Sequence, residues 1–210
     1  MIGPYSVPNY AEGAYATVLA LNVFAHALWS ERPRLTYATG LKYKIGVADP
    51  FEVDFTFWYQ RTTIFSLEEE PVLVFGEAKS FAVESFKQDD LARMWKLAEL
   101  FPGAFLVFAA LKDDLTETEK AEIGRLATWG RERLVDGRPR APIIVLTGAE
   151  LFAHGRITRS WKELGGERAK FAESQRVRLD NLWNLADVTQ QIYLGLPSPY
   201  AHPSAPHADG

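Results

Sequence analysis

Apolar residues along this 210-residue chain fall into blocks whose spacing switches between helical and strand-like periods. From Ala14 to Trp29 they dominate, interrupted by Asn22 and His26. Asn9, followed three residues later by Glu12, gives the capping-box pattern for a helix running to about Trp29. Leu35 to Val47 is strand-like with a bend at Gly40, and Asp49-Pro50 marks a turn. Between Phe51 and Arg61 the alternation is strict. Phe51, Val53, Phe55, Phe57 and Tyr59 form one face, and Glu52, Asp54, Thr56, Trp58 and Gln60 the other. After a connection over 62–70, Pro71 to Ser80 reads as the next strand.

Glu84 to Leu100 returns to helical spacing, with Leu91, Met94, Trp95 and Ala98 on one side and "FPG" at 101–103 as a stop. Ala104 to Leu111 is a continuous apolar strand, and Thr116 with Glu119 caps a helix to about Val135. "APIIVLT" at 141–147 is a second buried strand; a short helix at 149–153 and a long one over 173–194 complete the series. The order helix, three strands, helix, strand, helix, strand, helix predicts an α/β domain with a mixed sheet covered on both faces. Residues 1–196 make one domain of adequate size for a core. The tail from Pro197 holds three more prolines in its last 13 residues and reads as disordered.

The 14–29 run is too short and too polar to span a membrane and lacks a basic lead-in, so neither a signal peptide nor a membrane partner is expected. The absence of cysteine excludes disulfides, thiolate nucleophiles and Cys-based zinc sites, and it accords with a cytoplasmic location. Net charge is −4 but uneven: residues 125–178 carry 12 Lys and Arg against 6 Asp and Glu. Such a segment suits either a phosphate-binding surface or solvated helix faces. None of the four histidines has metal-ligand spacing, His26 reads as a core residue, and no GxxxxGK[ST] or GxGxxG motif is present, so ATP hydrolysis and hydride transfer find no support.

The stretch "PVLVFGEAKSF" (71–81) ends a core strand with Glu77 and Lys79 on one face. If the strands at 51–61 and 71–80 form a hairpin with 61 and 70 flanking its loop, facing residues have numbers summing to 131. Asp54 then lies opposite Glu77, and Glu52 opposite Lys79. Carboxylates gathered beside a core are costly unless they bind something, and hard oxygen donors suit Mg²⁺. The neighbouring ammonium can orient water or balance phosphate charge. Gln88 falls on the inward face of the next helix, as a site residue or an ordinary terminal amide. Glu52 could face solvent, pair with Lys79 or join the metal ligands, while Asp89 and Asp90 suit the helix dipole. Trp58 shares the polar face with Asp54.

Taken together, Asp54 in "FEVDF" and Glu77 and Lys79 in "GEAKS" resemble the PD-(D/E)XK nuclease superfamily, the restriction endonuclease-like fold. The resemblance implies an αβββαβ core over roughly 9–111, with α/β additions after it. It implies Asp54, Glu77 and the carbonyl of Ala78 as ligands of Mg²⁺ or Mn²⁺, Lys79 as the residue positioning the attacking water, and Gln88 and Glu12 as further site residues, Glu12 serving also as a cap. "FPGAFLVFAAL", "PIIVLTGAELF" and "LADVTQQIYLGLP" resemble stretches of bacterial proteins that carry such a domain at the end of a longer chain. The expected activity is metal-dependent hydrolysis of nucleic acid, DNA first, by a chain that is a fragment, a stand-alone form or a homodimer. The alternative is a catalytically inactive module of the same fold for nucleic-acid binding or protein assembly.

Overall fold

The computed structural model describes residues 14–28, 33–44, 50–60, 70–80, 84–135, 137–173, 179 and 181–199. The first helix, α1 (Tyr15–Asn22), runs into a one-turn π-helix over Val23–Ala27. Its expected cap, Asn9 with Glu12, lies outside the described residues, as does the tail from 200 onward. Three strands follow: β1 (Arg34–Tyr43), β2 (Phe51–Gln60) and β3 (Val72–Lys79). Next come α2 (Gln88–Leu100), β4 (Phe105–Ala110) and α3 (Glu117–Glu132). A minimal hairpin, β5 (Leu134–Val135) and β6 (Arg138–Pro139), precedes β7 (Ile143–Leu146). The described chain closes with α4 (Gly148–Leu151), α5 (Ile157–Leu164), α6 (Gly166–Glu173) and α7 (Leu182–Leu194).

These elements build a five-stranded mixed sheet of order β1-β2-β3-β4-β7. β1, β2 and β3 form an antiparallel meander, while β4 and β7 join in parallel. The order αβββαβ and a mixed sheet between helices match the restriction endonuclease-like core expected from the sequence. One face packs Phe24, Phe55, Phe57, Leu151, Trp161 and Leu185 together; the other packs Phe75, Met94, Leu97, Phe108, Ile123 and Leu126. β4 and β7 are buried on both faces, which is why they read as unbroken apolar runs.

The β7 edge is closed by side chains. The Val145 N–H donates to Thr189 Oγ1 and the Gln190 amide donates to the Ile143 carbonyl, so α7 satisfies backbone groups that an open edge would leave unpaired. Behind it, the fully buried Glu150 accepts from Tyr193 Oη (2.6 Å), the Thr147 N–H and hydroxyl, and the Trp161 indole. Burial pushes the Glu150 carboxyl up, against the pull of these donors. Arg168 donates in turn to Tyr193 Oη, tying α6 to α7.

Several expectations are corrected. Of the helix expected over 173–194, the described residues hold Glu173 as the end of α6 and α7 from Leu182, after Asn181, whose side chain accepts from the Asn184 N–H; residues 174–178 and 180 lie outside the described residues. Neither α5 nor α6 up to residue 172 was expected; they meet at Gly165, which caps α5, and Gly166, which opens α6, both at positive φ (+77° and +64°). His26 is exposed rather than buried. Val53 leaves the face of Phe55 and Phe57 and packs with the α2 and α3 side. The cause is a bend: Gly40 sits at φ +60°, and the Gly40–Asp54 rung is missing from an otherwise continuous β1–β2 ladder.

Candidate functional site

The hairpin register places the site. Phe55 faces Gly76, Thr56 faces Phe75 and Phe57 faces Val74, all summing to 131 as expected. Gly76 is required there: a Cβ on it would stand 1.9 Å from Phe55 Cζ, so the phenyl ring lies directly over the glycine backbone. This last rung holds the ladder in register immediately beside Asp54 and Glu77.

Beyond that rung the pairing passes from backbone to side chain. The Ala78 N–H donates to Asp54 Oδ2 at 2.7 Å. On the opposite flank of β3 the Leu111 N–H donates to the Lys79 carbonyl. Backbone groups alternate in direction along a strand, so the Ala78 carbonyl is directed to the Asp54 flank. Glu77 is 3% exposed and shares its face with Lys79, whose Nζ donates to Glu77 Oε1 at 2.9 Å. Asp54, Ala78, Glu77 and Lys79 are therefore brought together.

The rest of the expected set stands elsewhere. Gln88 shares a helix face with Leu91 and Trp95 as expected, but that face is turned to α3. There Gln88 is exposed and lines a groove with Glu122 and Arg125. Glu52 is exposed and faces Lys42 across β1, and the β2–β3 ladder ends at Phe55–Gly76, so no rung sets Glu52 opposite Lys79. Trp58 is 48% exposed and lines a cleft with Leu73, Leu100 and Trp183, at the end of β3 away from Glu77. Glu12 lies outside the described residues. The Arg-rich segment is divided: Arg133 and Arg140 lie over Trp129 and Arg138 over Trp183, while Arg168 is bound to Tyr193.

α2 supplies two residues that the sequence did not single out as chemistry. Asp90 accepts from the Lys87 N–H at 2.8 Å, a capping role consistent with its early position, and also from Lys79 Nζ at 2.8 Å. Arg93, one turn on, bridges Glu77 Oε1 at 3.2 Å and Asp90 Oδ1. Glu77, Lys79, Asp90 and Arg93 thus close a ring of alternating charge, with Asp54 beside it.

The electrostatics are unequal around this ring. Burial, reinforced by the Asp54 charge, pushes Glu77 up to about 7 despite Lys79. Burial likewise raises Asp54, against the Ala78 N–H and Lys79. Burial also acts on Asp90, but Lys79, the Lys87 N–H and Arg93 outweigh it and hold that carboxyl below its usual range. For Lys79, burial is overcome by Asp90 and Glu77, so its ammonium is favoured.

This distribution is the test of fit for a cation. Asp90 is neutralised by its partners; Asp54 and Glu77 are desolvated acids that disfavour one another. Among the described residues, Asp54 Oδ1 and Glu77 Oε2 accept no hydrogen bond. No group of three or more Asp, Glu or His forms a metal cage among the described residues. The donors present are two carboxylates and a carbonyl, which fits a hard cation that retains several waters.

The fold and cluster define a mixed α/β protein with an acid–lysine patch at the carboxyl end of its central strand. No family model matches the chain, and no curated protein matches it. Among solved structures it is similar to the MspJI restriction endonuclease in complex with a 27-mer oligonucleotide, at 20% identity and a TM-score of 0.38. The match covers 80% of this chain and 32% of that one, so the chain spans about a third of that protein. No helix among the described residues is long and apolar enough to cross a membrane.

Proposed function

We propose that this chain hydrolyses phosphodiester bonds in nucleic acid, DNA in the first instance, with a divalent cation. The observation that carries the reading is the Asp54–Ala78 hydrogen bond beside the Glu77–Lys79 pair. It gathers two charge-frustrated carboxylates, a backbone carbonyl and an ammonium at the end of one strand. Asp54, Glu77 and the Ala78 carbonyl would hold Mg²⁺ or Mn²⁺. Such an ion, when bound, polarises a phosphoryl oxygen and makes water a better nucleophile at neutral pH. Lys79 orients the attacking water and offsets charge on the phosphate, and Asp90 keeps it protonated and in place.

The test is a cleavage panel over plasmid, linear duplex, single strand and RNA, with Mg²⁺ or Mn²⁺. Cleavage that is lost in folded Asp54→Ala and Lys79→Ala variants is the expected result. Equal cleavage by wild type and Lys79→Ala refutes the assignment of Lys79. A second reading, a non-catalytic module, draws on the closed ring of Glu77, Lys79, Asp90 and Arg93, which is also what a structural network looks like. Calorimetric titration separates the two: no Mg²⁺ or Mn²⁺ binding, or binding unaffected by Asp54→Ala and Glu77→Ala, supports the module.

A further inference from the structure

We infer that Arg93 is a phosphate-binding residue of this site, a contact supplied by α2 where the sequence pointed to Gln88. The inference rests on the nucleic-acid reading above and extends it to a residue that reading does not use. Three features of the guanidinium carry it.

The first is position. Arg93 Nη2 lies 3.2 Å from Glu77 Oε1, so the group stands at the same acid that Lys79 contacts, on the side of the patch formed by α2. Its side chain is 29% exposed, against 15% for Lys79 and 4% for Glu77, making it the most accessible charge of the ring.

The second is its unused capacity. Arg93 Nε is buried and meets no acceptor among the described residues, while Nη2 serves both acids. A guanidinium presents adjacent N–H donors that match two oxygens of one phosphate, and here only one donor edge is engaged. The contact to Glu77 is also longer than the Lys79 contacts to Glu77 (2.9 Å) and Asp90 (2.8 Å), so it is the one most readily exchanged for a phosphate oxygen.

The third is the charge balance. Asp54, Glu77 and Asp90 against Lys79 and Arg93 leave a formal charge of −1, which a bound divalent cation turns to +1. Without Arg93 the site would stand at −2 unloaded and neutral when loaded, so in either state the patch would draw a phosphodiester less strongly. Asp90 is the positioning partner: its two oxygens hold Lys79 and Arg93 on either side, so both cations face the same space.

The experiment is fluorescence anisotropy of a labelled duplex of about 20 base pairs, in EDTA, with KCl varied between about 50 and 200 mM. The readout is the slope of log K against log salt, for wild type, Arg93→Gln and Arg93→Lys. Loss of one phosphate contact is expected to reduce the slope by about 0.9 in Arg93→Gln, with affinity about tenfold weaker at the low-salt end. Arg93→Lys retains the slope and loses part of the affinity, because it keeps the charge without the fork. A purely structural role moves the melting temperature but not the slope.

Unchanged slope and affinity in Arg93→Gln overturn the inference, and so does a wild type that shows no salt-dependent binding. Should Arg93→Gln fail to fold, Asp90→Asn/Arg93→Gln also removes the carboxylate charge that Arg93 offsets and carries the same expectation. The two levels separate cleanly. Salt-dependent binding through Arg93 without Mg²⁺- or Mn²⁺-dependent cleavage defeats the nuclease reading and leaves the phosphate contact standing. Cleavage with an Arg93-independent slope does the reverse.

Discussion

Glu77→Gln is expected to stabilise the protein at pH 8 relative to its effect at pH 5. Glu77 is 3% exposed, and burial together with Asp54 lifts its carboxyl from an ordinary 4.5 to about 7. The folded state therefore holds a proton that the unfolded chain has already released. Between those two values the folded form binds more protons, so stability falls as pH rises through that window and levels off above about 7. At 1.36 kcal/mol per pH unit, ionising Glu77 in place costs on the order of 3 kcal/mol by pH 8. Glutamine keeps the shape and never carries that charge. The charge-assisted bonds of Glu77 to Lys79 and Arg93 form only when the carboxyl is ionised and are already contained in the raised value, so they add no separate term to the comparison.

The assay is urea unfolding followed by fluorescence of the six tryptophans, at pH 5 and pH 8, in EDTA. The difference in unfolding free energy, variant minus wild type, should rise by about 2–3 kcal/mol from the lower pH to the higher. Millimolar Mg²⁺ should stabilise wild type at pH 8 and leave Glu77→Gln nearly unchanged, because a cation that binds only the folded state raises its stability by mass action. An offset that is equal at both pH values refutes the argument that Glu77 is a frustrated acid. It would mean that Lys79 and Arg93 fully compensate its burial.

Gly76→Ala should destabilise the fold by about 3 kcal/mol in the same urea assay, because the new methyl group displaces the Phe55 ring from the last rung. Adding Phe55→Ala should cost much less in that background than in wild type, the mark of two residues sharing one space. Glu150→Gln should destabilise by about 2–4 kcal/mol, since an amide nitrogen would face donors from Tyr193, Thr147 and Trp161 in a sealed interior. A loss below about 1 kcal/mol would show that relief of the buried charge outweighs the network.

Much of the fold was legible because its signals are local and repeated. The alternation from Phe51 onward and the apolar runs at 105–110 and 143–146 gave strand positions, and two turn-flanking residues were enough to set the hairpin register. That register holds to Phe55–Gly76, the rung next to Asp54 and Glu77, and the Ala78 N–H to Asp54 bond carries the pairing one step further. Glu52 escaped the arithmetic. It lies three residues past the last β2–β3 rung, where β2 is paired with β1 alone. α5 and α6 fall in a stretch to which no element was assigned, and the start of α7 was marked only by Asn181, a single residue within an expected helix over 173–194.

The α2 contribution was misassigned for a different reason. Helical periodicity orders residues into stripes but does not say what each stripe meets. Leu91 of the stripe through Gln88, Leu91 and Trp95 is buried as expected, but Gln88 is exposed, and it is α3 that lies on that side. Residues flanking it, Asp90 and Arg93, lie one turn apart and reach β3. Their signal was present as an acid and a base at helical spacing, but the same spacing describes any solvated ion pair. Three-dimensional placement separates the cases. A surface pair keeps its ordinary acidity, whereas here the capping carboxylate is drawn below its usual range while the strand carboxylate it faces is pushed up. Two acids that share one pair of cations yet differ in protonation preference, because burial and Asp54 outweigh those cations at Glu77, are a costly arrangement for a protein that needs only a salt bridge. The cost falls on Glu77 and Asp54, the two groups that a cation would relieve.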